Sequence, residues 1–282
     1  MSSRKRVNRA NTTFFLVAAL FLSLSATPSI AVPLTPVLVK SIDPTENLEL
    51  IPFGVAGSKF YFFATDPTED QGGATHGTQL WSSDSTTAGI KMVKNINPTQ
   101  RYCCPDGVDG NDFFIALGSK YLFTAIEGTH GNELWVSDGT ARGTKMVKDI
   151  NPKGNSGIGD STVVVGKRLY FTADDGTHGS ELWISNGTAK GTHMLKDINP
   201  KGDSTILDVT ATSSAVFFDT TMDSQSGSTK LWSTDGTAAG TKQVKFTATA
   251  GTRILSEIVL RSTLYLGFHD GTHGNGLWRI AK

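Results

Sequence analysis

Four histidines each stand directly before a glycine and five residues before a tryptophan: His76, His130, His178 and His273, ahead of Trp81, Trp135, Trp183 and Trp278. A set of imidazoles on one face of a molecule can bind a metal ion. They can equally hydrogen-bond within their own loops or to a neighbouring unit. Equivalent positions in separate repeats should lie too far apart to share one ion at bonds of about 2 Å, which favours the structural role. The aspartates Asp84, Asp138 and Asp235, each three residues after a tryptophan, offer a second chemistry. An aspartate before Gly-Thr makes an Asx turn, its side chain accepting backbone N–H bonds. A calcium site would instead need about six converging oxygens. Asp174-Asp175 and the run from Asp106 to Asp112 hold the best supply, so calcium is the one cofactor kept as an alternative to none.

A single active or binding site needs one copy of its groups, so unrepeated residues carry more functional weight. Two insertions stand out. DPTEDQGGAT, residues 66–75, supplies Asp66, Glu69 and Asp70; TQRYCCPDGVDGND, residues 99–112, supplies Tyr102, Cys103, Cys104, Asp106, Asp109 and Asp112. Elaborated loops on a rigid scaffold are where function tends to sit. The two cysteines are sequence neighbours and the only ones in the chain. They can close a strained vicinal disulfide, pair between chains or stay free, and their spacing matches no zinc site. His193 and His269, also unrepeated, are expected to be solvated. No Ser-His-Asp, Cys-His or metal-ligand constellation stands at readable spacing, so no catalytic or metal-binding residue is assigned.

The elements that hold these residues follow from a repeat. The five tryptophans lie 54, 48, 49 and 46 residues apart, each preceded by leucine. A period near 48 with strand-like content signals a repeat architecture. One unit divides into STVVV (161–165), RLYFTA (168–173), ELWIS (181–185) and THMLKDI (192–198). Asn186-Gly187 predicts a two-residue hairpin turn between the last two strands, and Asn199-Pro200 ends the fourth. Four short antiparallel strands per unit make the blade of a β-propeller. The last unit stops after its third strand, at Gly276–Lys282. The first ordered piece, Leu38-Val39-Lys40-Ser41-Ile42-Asp43-Pro44, copies the fourth strand Met146–Pro152. The expectation is an all-β, five-bladed propeller closed by the N-terminal strand completing the last blade. In that reading Trp81, Trp135, Trp183, Trp232 and Trp278 pack between neighbouring sheets. The recurrent Lys40, Lys94, Lys148, Lys196 and Lys245 guard outer edges against aggregation.

ELWVSDGTARGTKMVKDINP (133–152) and YFTADDGTHGSELW (170–183) resemble the bacterial family of secreted proteins with ELW-x-x-DGT repeats. The resemblance covers about residues 37–282 and is strongest in units two and three. It implies a secreted or surface protein of propeller type, and no established reaction. The signature dipeptides of tryptophan-aspartate and kelch propellers are absent.

The N-terminus reads as a signal peptide. Arg4, Lys5, Arg6 and Arg9 precede the apolar FFLVAALFLSLSA (14–26), and Ser29-Ile30-Ala31 fits a cleavage site. Residues 1–31 are thus expected to be removed, leaving 32–282 as a single propeller domain at the cell surface, in the periplasm or outside, and not embedded in a membrane. The whole chain has 26 basic and 26 acidic residues; without 1–31 it has 22 and 26. A net −4 argues against nucleic acid, which needs a basic footprint. The expected function is a monomeric, non-catalytic module that recognises a glycan or surface protein. A polysaccharide-acting hydrolase or lyase, with His130 or His178 and Asp175 as candidate groups, is the runner-up. A structural spacer within an envelope assembly is the third reading.

Overall fold

The repeating sequence unit becomes a repeating antiparallel sheet, each sheet a simple meander. The computed structural model describes residues 38–40, 51–65, 78–97, 114–159, 161–221, 229–245, 253–269 and 273–280. Sheet one holds β1 (Ile51–Ala56), β2 (Lys59–Thr65), β3 (Thr78–Ser83) and β4 (Lys91–Lys94). Sheet two holds β5 (Phe114–Leu117), β6 (Lys120–Ile126), β7 (Asn132–Ser137) and β8 (Lys145–Lys148). Sheet three holds β9 (Val163–Val165), β10 (Arg168–Asp174), β11 (Ser180–Ser185) and β12 (His193–Met194). Sheet four holds β13 (Ile206–Ala211), β14 (Val216–Thr221), β15 (Thr229–Thr234) and β16 (Lys242–Gln243). Sheet five holds β17 (Arg253–Leu260), β18 (Thr263–His269) and β19 (Asn275–Arg279), and among the described residues it has three strands. The described residues form no helix, and none could therefore cross a membrane as one.

Strand alternation gives each sheet two apolar faces, because successive side chains point to opposite sides. One face meets the preceding sheet and the other the following one. Phe123 and Trp135 pack back onto Tyr61, Phe63 and Leu80 of sheet one. Leu122, Leu134 and Val136 pack forward onto Leu169, Phe171 and Trp183 of sheet three. The pattern continues through Tyr170, Leu182 and Phe218, then through Phe217, Leu231 and Leu266. The cores therefore lie between sheets. A stack of this kind has no single centre; the backward face of sheet one is buried around Phe62, Trp81 and Ile90, whereas sheet five leaves Ile258 and Leu260 exposed.

The connection between the third and fourth strands differs from the two-residue hairpin predicted at Asn186-Gly187. Gly187 has φ 77°, but Asn186 is not left-handed, as both central residues of that turn would have to be. A longer loop runs from Asn186 to Thr192, held by side chains. Asp138 Oδ1 accepts the Thr140 N–H at 2.9 Å and the Thr140 hydroxyl at 2.7 Å. Thr140 Oγ1 accepts the Gly143 N–H at 2.9 Å, and Thr144 Oγ1 donates to Thr140 O at 2.7 Å. Asn186 and Asp235 build the same loop in sheets three and four. A Cβ on Gly143 would stand 2.0 Å from Asp138 Oδ1, so the loop requires glycine there. The D-G-T-x-x-G-T phrase is a self-contained set of local hydrogen bonds.

At the end of the chain the pattern is interrupted. Leu80, Leu134, Leu182 and Leu231 are all fully buried, whereas Leu277 is 78% exposed. Val147 is 5% exposed and its counterpart Val39 is 44% exposed. Residues 38–40 nevertheless lie against sheet one: Lys40 Nζ donates to Ile90 O at 3.2 Å, and Thr87 Oγ1 to Val39 O at 2.9 Å.

Candidate functional site

The insertion residues Asp66, Glu69, Asp70, Tyr102, Cys103, Cys104, Asp106, Asp109 and Asp112 lie outside the described residues, as do His76 and the expected signal peptide. The strands around them are described. Antiparallel pairing puts the end of β2, the start of β3 and the end of β4 at one end of sheet one, with Thr65 opposite Thr78.

His130 and His178 form pairs inside their own turns. His130 Nδ1 meets the Glu127 carboxylate. His178 Nδ1 lies 2.8 Å from Asp175 Oδ2, while Asp175 Oδ1 accepts the N–H groups of Thr177 and His178, both at 2.9 Å. In each pair the hydrogen bond to the carboxylate raises the imidazole pKa above its ordinary value. Asp174 Oδ1 accepts the Gly176 N–H at 2.7 Å. The acids offered above as a cation site at Asp174-Asp175 thus serve the turn's own donors, and among the described residues no three His, Cys, Asp or Glu side chains converge as metal ligands. His273 and His193 are exposed, and His269 Nδ1 lies 2.9 Å from Asn275 Oδ1.

The fourth-strand lysines do more than guard an edge. Lys94 Nζ donates to Thr144 O at 2.9 Å, Lys148 Nζ to Thr192 O at 3.1 Å and Lys196 Nζ to Thr241 O at 3.1 Å. The same ammonium groups stand 5.7, 5.4 and 5.8 Å from the ring centres of Trp135, Trp183 and Trp232. Each lysine therefore crosses to the next sheet and joins its loop and its tryptophan, a cation–π contact combined with a hydrogen bond. Lys40 makes the corresponding hydrogen bond to sheet one, at Ile90 O. Trp81, Trp135 and Trp183 are buried, Trp232 is partly so, and Trp278 in the three-stranded sheet is the most open.

Sequence reasoning missed two sets of acids. The first is the repeated Glu of the ELW phrase. Glu133 and Glu181 are fully buried. Glu133 accepts the N–H groups of Ile150 and Asn151 at 2.8 and 3.3 Å, and Glu181 those of Ile198 and Asn199 at 3.2 and 3.3 Å. They hold the turn that follows the fourth strand; Gln79 does this for Ile96 in sheet one. Burial pushes the Glu133 carboxyl up to about 7, against the pull of those donors. Repetition of the letter was the available signal.

The second set is unrepeated. Asp219 on β14 stands where Thr124 and Thr172 stand in sheets two and three. It is 4% exposed and accepts the Asp208 N–H at 2.9 Å. Glu257 on β17 comes from the neighbouring sheet. Both of its carboxylate oxygens are shielded from water without a hydrogen-bond partner among the described residues. Burial, then the nearby Asp219 and Asp208 carboxylates, push Glu257 up to about 8; burial pushes Asp219 up to about 6. Two such acids cannot both ionise cheaply, so the group holds a proton near neutral pH. Chemically, this is a proton donor between sheets four and five. Only the absence of a repeated counterpart could have flagged it.

No family model matches the chain, and no curated protein does. Solved structures are similar at the level of shape. A Mycobacterium tuberculosis puromycin-hydrolyzing peptidase has a TM-score of 0.47 at 12% identity, over 84% of this chain and 36% of that one. A Pyrococcus horikoshii acylaminoacyl peptidase has a TM-score of 0.43 at 12% identity, over 86% and 38%. A prolyl endopeptidase has 0.43 at 11%, over 82% and 35%. The chain thus spans little more than a third of these structures, and peptide hydrolysis is said of them alone.

Proposed function

We propose that the chain is a secreted, non-catalytic binding module of the ELW-x-x-DGT type, built as a closed five-bladed propeller. In this reading it recognises a glycan or a surface protein through the loops 66–75 and 99–112. The observation that carries the proposal is where the repeated polar groups are spent. The turn aspartates and threonines, Glu133 and Glu181, and the lysines Lys94, Lys148 and Lys196 are engaged in holding loops and joining sheets. The repeated residues thus serve the scaffold, and the unrepeated insertions of unit one carry the functional weight by their sequence.

Closure of the ring is supported by three features. Lys40 meets sheet one as Lys94 meets sheet two. The exposed Leu277 and Val39 correspond to the buried pairs Leu80/Val93, Leu134/Val147 and Leu182/Leu195. Sheet one presents Phe62, Trp81 and Ile90 on its backward face. Pairing of residues 38–44 with β19 would supply the fifth sheet's missing strand and bury the open pair.

The test is a binding screen of the secreted protein against polysaccharides and surface proteins, beside a folded variant with both insertions cut to unit-three length. Binding by the intact protein alone supports the proposal. Equal binding by both moves the site off these loops, and binding by neither removes this reading in favour of an envelope spacer. A second reading, a polysaccharide-acting enzyme, would need the shielded carboxyls of Asp219 and Glu257 to open to substrate. Release of reducing ends that disappears in Glu257→Gln would establish it.

A further inference from the structure

One junction between sheets differs from its neighbours. Where sheet one meets the loop of sheet two, Lys59 Nζ donates to Asp138 O and Gly139 O, both at 3.1 Å. Lys59 Nζ and Tyr61 Oη lie 2.5 and 2.9 Å from where a Cβ on Gly139 would stand. Where sheet three meets the loop of sheet four, Arg168 Nη1 and Tyr170 Oη crowd Gly236 in the same way, each at 2.7 Å. The junction of sheets two and three has Lys120 and Leu122 at these positions. Leu122 carries no phenol, and the nearest atom to a Cβ on Gly187 is 3.8 Å away. Gly187, left open in this way beside Leu122, lines a cleft of about 410 Å³ together with Lys120, Lys145, Asp138, Thr188, Val136 and Val147 among others. That falls within the roughly 300–1,000 Å³ of small-molecule sites.

We propose that this cleft binds a carboxylated sugar, a hexuronate unit of an acidic polysaccharide. Among the lining residues the partly exposed Met146 and the exposed Ala189 offer apolar surface to the C–H face of a pyranose, over the buried Val136 and Val147. Two lysines against one aspartate leave a single net positive charge, which matches one carboxylate better than a phosphate dianion. Lysine donates to the carboxylate, and Thr188 and the cleft's peptide groups serve the hydroxyls. The cleft lies by the β5–β6 and β7–β8 turns, at the opposite end of the sheets from the connections that carry the insertions, so it is separate from the loops proposed above. It rests on the recognition reading only in the choice of a glycan.

Calorimetric titration of the purified protein with trigalacturonate, and with cellotriose as the neutral control, tests the assignment. Two variants run alongside: Leu122→Tyr, which restores the side chain of the flanking junctions, and the exposed pair Lys120→Gln/Lys145→Gln. The expected result is trigalacturonate binding, weakened about tenfold or more in both variants through loss of space and of charge-assisted hydrogen bonds, with no cellotriose binding. If Leu122→Tyr misfolds, the lysine variant decides. Unchanged affinity in the folded variants overturns the cleft while leaving glycan recognition standing. Absence of trigalacturonate binding in the parent protein overturns it as well, and only an empty wider screen then removes the recognition reading.

Discussion

Trp183 lies 4% exposed between sheets two and three, against Leu169 and Phe171 and beneath the Lys148 ammonium group. Its ring is large enough that truncation leaves a cavity the sheets cannot close. Trp183→Ala is expected to cost about 3–5 kcal/mol in denaturant unfolding. An unchanged midpoint would remove the packing role. Glu257 gives the opposite kind of prediction, because its burial is unfavourable. Its carboxyl titrates at about 8 in the folded chain against 4.5 for the ordinary group. Below about pH 4.5 it is protonated in both states. Between that and about pH 8 the unfolded chain releases the proton and the folded chain keeps it, so stability falls as pH rises. Asp219, raised to about 6, acts in the same direction and titrates with it. Glu257→Gln should flatten this decline, raising stability at pH 8 relative to pH 5 by on the order of 1–3 kcal/mol compared with the parent. Parallel stability–pH curves for parent and variant would show that the group is not held protonated. The raised histidines also favour low pH, but their exposed pairs are screened by water and add little.

Sheets one, two and three are each locked to the next by one lysine at or just after the last strand, Lys94, Lys148 and Lys196. Lys148 leaves β8, donates to the carbonyl of Thr192 and covers the ring of Trp183. Lys145, at the other end of the same strand, is exposed and makes neither contact among the described residues. Lys148→Ala should therefore cost about 1–2 kcal/mol, one hydrogen bond and one cation–π contact. Lys145→Ala should stay within about 0.5 kcal/mol. Equal effects in thermal unfolding would mean that the cross-sheet contacts contribute nothing. The loop between the third and fourth strands belongs to the same level of organisation. Its side-chain bonds span two to seven residues, from Asp138–Thr140 to Ser137–Thr144, so each sheet can form this corner before it meets a neighbour.

The stack as a whole must dispose of its two ends. Sheet five keeps Ile258, Leu260 and Leu277 largely exposed, and β19 has no outer partner among the described residues. If residues 38–44 close the ring, amide protons of Leu277 and Arg279 should exchange as slowly as those of β15 in the middle of sheet four. Deletion of residues 38–44 should then release them. Fast exchange in the intact protein would mean an open end, and with it a face available for association.

What the sequence determined by itself were the features whose partners lie nearby along the chain. The repeat period, the strand positions 161–165, 168–173 and 181–185, and the aspartate turns could be read because the hydrogen bonds involved are local. The fourth strand of sheet three shortened to His193–Met194 and the hairpin became a longer loop, because Asn186, Thr188 and Thr192 compete for the backbone that a tight turn would use. Only the tertiary structure decided which face of each sheet meets which neighbour. That stacking carries Lys148 to Trp183, brings Glu257 to Asp219 from separate sheets, and opens the cleft beside Leu122 where flanking junctions have tyrosine. None of these can be read from one unit alone, because each depends on how one sheet is set against the next.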